Sequence, residues 1–411
     1  MMRPPRPLLA AAMLLALPAA AAAQLVPPLG GVVGRTLSGV AQTLSPVEAT
    51  LSDARSLARD QLRRVRDLAR RYPDRIEIDR AGDAVRAGEL VVVDPDDTVV
   101  AAAQAQGFRL IAREDLGDLG IGYARFRTPQ GQSVDRALPR LRALAPGREV
   151  SADPLHFPGG ALGTTTLAMA APPAAPGGAR IGLIDGGVRA GTPGLIRQQA
   201  FAAGAPRPND HAAAIASLLT GGGGIRASAP GAALLVADVY GSDPAGGNAV
   251  AIARALAWLT REQVPVAVVS LVGPANPLLA RVVAAARRRG TIVVAAVGND
   301  GPAAPPAYPA SYPQALAVTG VDARGRPLIE AGHATKLDYA APGADLLALD
   351  RNGRARSVRG TSFAAPFVAA RLAAHLPDLD RALAALDREA QRGGRATGRG
   401  ILCTDCRTPP R

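Results

Sequence analysis

The chain has 411 residues and a formal net charge of +13, with 48% hydrophobic but only 3% aromatic residues. Lys336 is the only lysine, so the positive charge is arginine dispersed through an Ala-, Gly- and Pro-rich sequence, without the aromatic-and-basic interleaving of a nucleic-acid surface. No nucleic-acid partner is therefore expected. No stretch after the N-terminus is apolar for long enough to span a bilayer, so no transmembrane segment is expected.

Arg3 and Arg6 precede an apolar run from Leu8 to Leu17, and Ala21, Ala22 and Ala23 follow before Gln24. Positive, apolar and small residues in that order predict a secretory signal peptide over 1–23, hence a secreted or periplasmic product of bacterial export. Residues 24–87 form an N-terminal segment with an amphipathic helix. Ser45-Pro46-Val47-Glu48 reads as a capping box with Pro at the first helical position. Leu51, Leu57, Leu62, Val65 and Leu68 recur at helical spacing up to Tyr72-Pro73.

Residues 88–156 read as a small α+β unit. A strand at Leu90–Val93, a helix from Asp97 to Gln106, strands at Phe108–Ala112 and Ile121–Phe126, a helix from Val134 to Leu144 and a strand starting at Glu149-Val150 give the order β-α-β-β-α-β. That order predicts a ferredoxin-like open sheet with both helices on one face. Residues 157–178 are Pro, Gly, Ala and Thr without periodicity, which predicts a linker open to proteolytic nicking.

Over 179–403 apolar strands alternate with helices, the pattern of a parallel sheet covered on both faces. Strands are expected at Arg180–Asp185, Leu234–Tyr240, Val266–Leu271, Thr291–Val297 and Leu316–Val321. Helices are expected at His211–Leu219, Asn248–Thr260, Pro277–Arg289, Ser362–Leu376 and Leu379–Arg388. Ligands of such sheets bind beyond the carboxyl ends of the strands. Residues 404–411 are a tail. Cys403 and Cys406 are spaced for a local disulfide rather than for a complete zinc site.

Four segments bear reactive groups. Ile181-Gly182-Leu183-Ile184-Asp185-Gly186-Gly187 delivers a carboxylate at the end of an apolar strand, where a plain turn acid is also common. Asp210-His211-Ala212-Ala213 opens a small-residue helix with one of only four histidines, a position that also suits a simple cap. Gly360-Thr361-Ser362-Phe363-Ala364-Ala365-Pro366 sets a serine at a helix N-terminus, whose N–H groups and dipole face whatever forms beside it. Ala295-Ala296-Val297-Gly298-Asn299-Asp300-Gly301 ends a buried strand with an amide donor, although Asn-Asp-Gly is equally a turn signal.

In content and in the order Asp, His, Ser, these segments resemble the subtilase family of subtilisin-like serine proteases. The G-T-S-F-A-A-P element is the most specific of them. The resemblance covers about residues 179–403 and extends to Gly398–Leu402, similar to the segment closing many subtilase domains. It implies a serine endopeptidase with Asp185 as orienting acid, His211 as general base, Ser362 as nucleophile and Asn299 as oxyanion-hole donor. Ser270, Leu271, Val272 and Gly273 resemble the segment that pairs with substrate backbone. Ala295, Ala296 and Gly298 resemble the opposite wall of the pocket for the residue before the scissile bond. No acid stands in either wall segment, so an apolar preference is expected, with Val272 making the pocket shallower than glycine would.

The resemblance makes 88–156 a pro-domain, acting as intramolecular inhibitor until self-cleavage within 157–178. Partners are then protein or peptide substrates. No cofactor is expected, and structural calcium is not indicated, since no calcium-binding loop of closely spaced acids is evident. The chain departs from the family at Ala212-Ala213, where Gly-Thr usually follows the histidine. That departure keeps a catalytically silent binding or scaffold protein as the alternative. A dinucleotide-binding domain ranks last, for want of a G-x-G-x-x-G turn.

Overall fold

A computed structural model describes residues 62–167 and 178–408, which build two large sheets and two small ones. The expected signal peptide, the capping box at 45–48 and the first turns of the amphipathic helix lie outside the described residues. That helix, α1, is described over 62–71 and ends before Pro73 as expected.

The first sheet comprises β1 (Ile76–Ile78), β2 (Ala84–Val93), β3 (Arg109–Asp115), β4 (Gly122–Arg127) and β5 (Val150–Pro154), with α2 (Asp97–Ala105) and α3 (Val134–Leu144) between strands. All of its pairings are antiparallel, in the order β3-β4-β2 with β1 and β5 both pairing β2. Leu90 and Val92 face α2 and α3, packing with Val99, Ala103, Ala137 and Leu141. Val91 and Val93 face the other way and pack with residues of the second sheet's helices, including Leu256 and Leu278. The two faces follow from the period-two alternation of a strand. The unit starts earlier than the boundary expected at 88. Gly82 N–H donates to Asp79 O at 2.9 Å, closing a hairpin that extends β2 back to Ala84.

The second sheet has seven parallel strands in the order β15-β14-β13-β11-β8-β10-β9. They are β8 (Arg180–Asp185), β9 (Leu195–Ala200), β10 (Ala233–Asp238), β11 (Val266–Val269), β13 (Ile292–Ala296), β14 (Leu316–Val321) and β15 (Tyr339–Pro342). Helices α4 (Asp210–Thr220), α7 (Ala365–Ala373) and α8 (Leu379–Glu389) share one face with Ile181, Leu183, Val266 and Val268. Helices α5 (Ala249–Arg261) and α6 (Pro277–Arg288) share the other with Ile184, Ala267 and Val269. Cys403 and Cys406 form a disulfide. Leu402 N–H donates to Ala340 O at 2.8 Å, tying the end of the unit to β15.

Two expectations need correction. The segment 157–178 is not structureless throughout. Phe157–Pro158 is a strand, β6, antiparallel to β12 (Leu271–Val272), and Ala161–Leu167 is a strand, β7, antiparallel to β17 (Ala355–Arg359). Phe157–Pro158 is too short, and Ala161–Leu167 reads Ala-Leu-Gly-Thr-Thr-Thr-Leu, so no side-chain periodicity announces either strand; residues 168–177 lie outside the described residues. The helix expected at Ser362–Leu376 is instead a 3-10 turn, Thr361–Phe363, followed by α7. Pro366 lacks an N–H and fits only the first turn of α7.

Candidate active site

The site lies at the carboxyl rim of the parallel sheet. Asp185 is the last residue of β8, is fully buried, and accepts from Gly186 N–H at 2.7 Å through Oδ1. Its Oδ2 lies 2.7 Å from Nδ1 of His211. His211 sits in the first turn of α4, capped by Asn209, whose Oδ1 accepts from Ala212 N–H at 2.7 Å. The small residues Ala212, Ala214 and Ala216 are all fully buried, so α4 approaches the sheet closely. His211 Nε2 is buried and makes no hydrogen bond.

Ser362 occupies the 3-10 turn before α7. The next residue, Phe363, packs its ring against the His211 imidazole with centroids 5.7 Å apart. The Ser362 hydroxyl donates to Ser270 O at 3.2 Å, and Ser270 Oγ donates to Ser362 O at 3.0 Å. The structure therefore forms the Asp185–His211 pair, while the hydroxyl points to a main-chain carbonyl rather than to the imidazole. Asn299 follows β13; its Oδ1 accepts from Thr361 N–H at 2.9 Å, and its buried Nδ2 has no partner.

The expected substrate segments also assemble at this rim. Leu271 and Val272 form β12, and Gly273 exchanges backbone hydrogen bonds with Tyr308. Ala295 and Ala296 are buried in β13, and Gly298 faces Val272. The chain itself lies along this edge: Pro158 pairs with Leu271, Phe157 with Val272, and Gly159 N–H donates to Ser270 O at 3.4 Å. A Cβ at Gly159 would lie 3.0 Å from Asn299 Nδ2 and 3.2 Å from Ser362 Oγ.

Sequence reasoning missed Gly159, Gly160 and Phe363 as parts of the site. The Pro-Gly-Gly triplet reads as linker composition, and Phe363 stands in the serine motif without a role of its own. It also missed Asp300. That residue borders a cavity of about 630 Å³ together with Arg64, Val65 and Leu68 of α1, and with Gly159, Val272, Asn299 and Arg359. Burial raises the Asp300 carboxyl above its usual range, and Arg64 at 3.9 Å opposes that shift. His156, just before the strand, is fully buried and pushed down to about 4 by burial. Asp153 is pushed up to about 7, mainly by burial, against a 3.0 Å hydrogen bond from Val250 N–H. Among the described residues no cluster of His, Cys, Asp or Glu is arranged to hold a metal.

An all-parallel sheet carrying a buried Asp–His pair, a serine before a helix and a free amide donor at one rim has the layout of a serine hydrolase. Residues 197–383 match the Subtilase family. Subtilisin BL of Lederbergia lenta is 32% identical over 200 residues, which are 47% of this chain and 74% of that protein. The major intracellular serine protease of Bacillus subtilis (strain 168) is 34% identical over 157 residues, 37% of this chain and 49% of that protein. Fervidolysin from Fervidobacterium pennivorans, a keratinolytic enzyme related to subtilisin, superposes with a TM-score of 0.62 at 16% identity, covering 78% of this chain and 61% of that one. This last likeness is one of fold. The chain belongs to the subtilase family of serine endopeptidases, with the subtilisin-like arrangement of parallel sheet and helices.

Proposed function

We propose that this chain is a serine endopeptidase that first cleaves its own Gly159–Gly160 bond. The observation that carries the reading is the pairing of Phe157–Pro158 with Leu271–Val272, which lays residues 157–160 along the serine, beside Asn299, as a substrate strand would lie. Strand addition supplies the affinity through main-chain hydrogen bonds.

In the reaction the Ser362 hydroxyl turns from Ser270 O to His211 Nε2, the one ring nitrogen left unbonded. Its oxygen bonds to the Gly159 carbonyl carbon as its proton passes to His211. Asp185 fixes the tautomer with the proton on Nδ1 and stabilises the imidazolium. Asn299 Nδ2 and the N–H of Ser362 hold the oxyanion. The C–N bond then breaks, His211 gives the proton to the Gly160 nitrogen, and that amine leaves. Water attacks the acyl-enzyme with His211 again as base, releasing the Gly159 carboxylate and restoring Ser362.

Residues 76–156 act in this reading as a ferredoxin-like pro-domain and intramolecular inhibitor. Support comes from the antiparallel order β5-β2-β4-β3 with both helices on one face, and from the packing of the opposite face with residues of α5 and α6. Export through residues 1–23 accords with a disulfide, which persists in an oxidising compartment.

The test combines a serine-directed phosphonate with N-terminal sequencing of the processed form. Wild type should be labelled and should begin at Gly160, and Ser362→Ala should be neither labelled nor cleaved. Equal labelling or equal peptide hydrolysis in the two proteins would return the chain to the silent-scaffold alternative.

A further inference from the structure

We propose that the site selects a Gly–Gly bond, with Val272 excluding side chains on the acyl side and Phe363 excluding them on the amino side. The proposal rests on the endopeptidase reading above and names the substrate class that the same site takes.

On the acyl side, a side chain would enter the slot between β12 and the segment after β13. Val272 fills that slot. Its two Cγ atoms would lie 3.2 and 3.3 Å from a Cβ at Gly298, which closes the space between the walls. Val272 is nearly buried, and Leu271, Ala295 and Ala296 are fully so. The neighbouring cavity is lined by Gly159, Gly160, Val272 and Asn299 together with residues of α1, but not by Ala295 or Ala296, the inner wall of the slot. The residue lying there is Gly159, and even a methyl group would press on Asn299 Nδ2 at 3.0 Å and Ser362 Oγ at 3.2 Å. Asn299 Nδ2 is the oxyanion donor in that reading, so yielding to the methyl displaces it, while the Ser362 hydroxyl leaves this position in the reaction.

On the amino side the obstruction is harder. A Cβ on Gly160 would lie 2.7 Å from Cε2 and 3.2 Å from Cζ of Phe363. Real Cβ contacts do not come so close. The Phe363 ring is fully buried and packed against His211, so it cannot swing aside without moving the imidazole. The backbone adds to this selection, because Gly160 has φ of +148°, a conformation essentially confined to glycine. Asn299 and Ser362 thus meet the first substituent atom at Gly159, with Val272 against Gly298 narrowing the slot beyond it, and Phe363 meets the first substituent atom at Gly160. The substrate that fits both is an extended segment with glycine on each side of the scissile bond and apolar residues before it, as in Phe157-Pro158-Gly159-Gly160.

The full chain is allowed to mature, and kcat/KM is measured by mass spectrometry on peptides built on Leu-His-Phe-Pro-X-Z. X and Z are varied separately among Gly, Ala and Phe. The Gly–Gly peptide should be cleaved at least about tenfold faster than either single-Ala peptide, the smallest discrimination usual for one methylene, and the Phe peptides more slowly still. Val272→Gly should raise cleavage with Phe at X and leave the preference at Z. Phe363→Met, a swap that keeps the core filled, should relax Z and leave X. A wild-type enzyme that cleaves Phe at X or Z as fast as Gly overturns this proposal and leaves the endopeptidase reading standing. Cleavage of none of the peptides overturns both.

Discussion

Ser362 and Ser270 hold each other through reciprocal hydrogen bonds, each hydroxyl donating to the other's carbonyl, at 3.2 and 3.0 Å. Both residues are fully buried and lie 92 positions apart, so the exchange clamps the serine turn to the end of β11. In a Ser362→Ala background, which removes self-digestion, adding Ser270→Ala leaves the carbonyl of residue 362 without its donor. A buried acceptor stripped in this way costs about 1–3 kcal/mol. Urea unfolding should show the double variant less stable by that amount. Coincident midpoints would mean that water or another donor already serves the carbonyl.

In the proposed mechanism Asp185 acts through tautomer choice, so an isosteric change should be nearly as damaging as a deletion. In Asp185→Asn the amide oxygen can still accept from Gly186 N–H, but its NH2 then faces His211 Nδ1. The imidazole must accept there, which leaves the proton on Nε2 and removes the base. Peptide hydrolysis should fall by roughly 10⁴-fold, the scale found when a triad acid is lost. Near-ultraviolet circular dichroism should be unchanged. Activity within tenfold of wild type would remove Asp185 from the mechanism.

The strands that are apolar on both faces, β8, β11 and β13, were legible because burial on two sides needs a continuous apolar run, and the residues at their ends could be singled out. β9 was not, since Leu195–Ala200 reads Leu-Ile-Arg-Gln-Gln-Ala and pairs only with β10 at the sheet edge. β15, β16 (Leu346–Leu349) and β17 are short and sit among loop residues. Asn299 could be proposed from sequence because an amide follows a buried strand. That its Oδ1 is held by Thr361 N–H, leaving Nδ2 to face the cleft, needed the fold. Gly159 and Gly160 were hidden for a different reason. Their role in the proposal comes from the side chains they lack, and a missing atom has meaning only beside Asn299, Ser362 and Phe363.

The docked strand should respond to pH through two buried groups of opposite sign. His156 ionises at about 4 when buried against an ordinary 6.5, so its cost to docking grows as pH falls through that interval. Asp153 ionises at about 7 against an ordinary 3.8, with Arg86, Glu89 and Arg125 as its charged neighbours, so its cost grows as pH rises. The two trends offset each other in the wild type. Asp153→Asn should expose the histidine trend, with docking loosened by up to about two orders of magnitude between pH 6.5 and pH 4. His156→Gln should show the reverse, loosening as pH rises from 4 to 7. Dissociation of the fragment that the proposed cleavage would release, followed by size exclusion across this range, reads both. Identical pH profiles for the two variants would show that neither group controls docking.

Gly360 tests whether the cleft accepts the strand by close backbone approach. Its φ is +143°, and a Cβ there would lie 2.7 Å from Gly160 Cα and 2.9 Å from Asn299 Nδ2. The first contact is with main chain, which has no rotamer to change, and the second displaces the amide proposed to hold the oxyanion. Gly360→Ala should therefore block release of the fragment ending at Gly159, even though the substitution removes no polar group. The backbone strain adds about 1–3 kcal/mol, so folding has to be checked separately, by melting of the same variant made with Ser362→Ala. A folded Gly360→Ala chain that matures at the wild-type rate would show that the segment 157–160 does not occupy this cleft at the moment of cleavage, and the Gly159–Gly160 assignment would have to be given up.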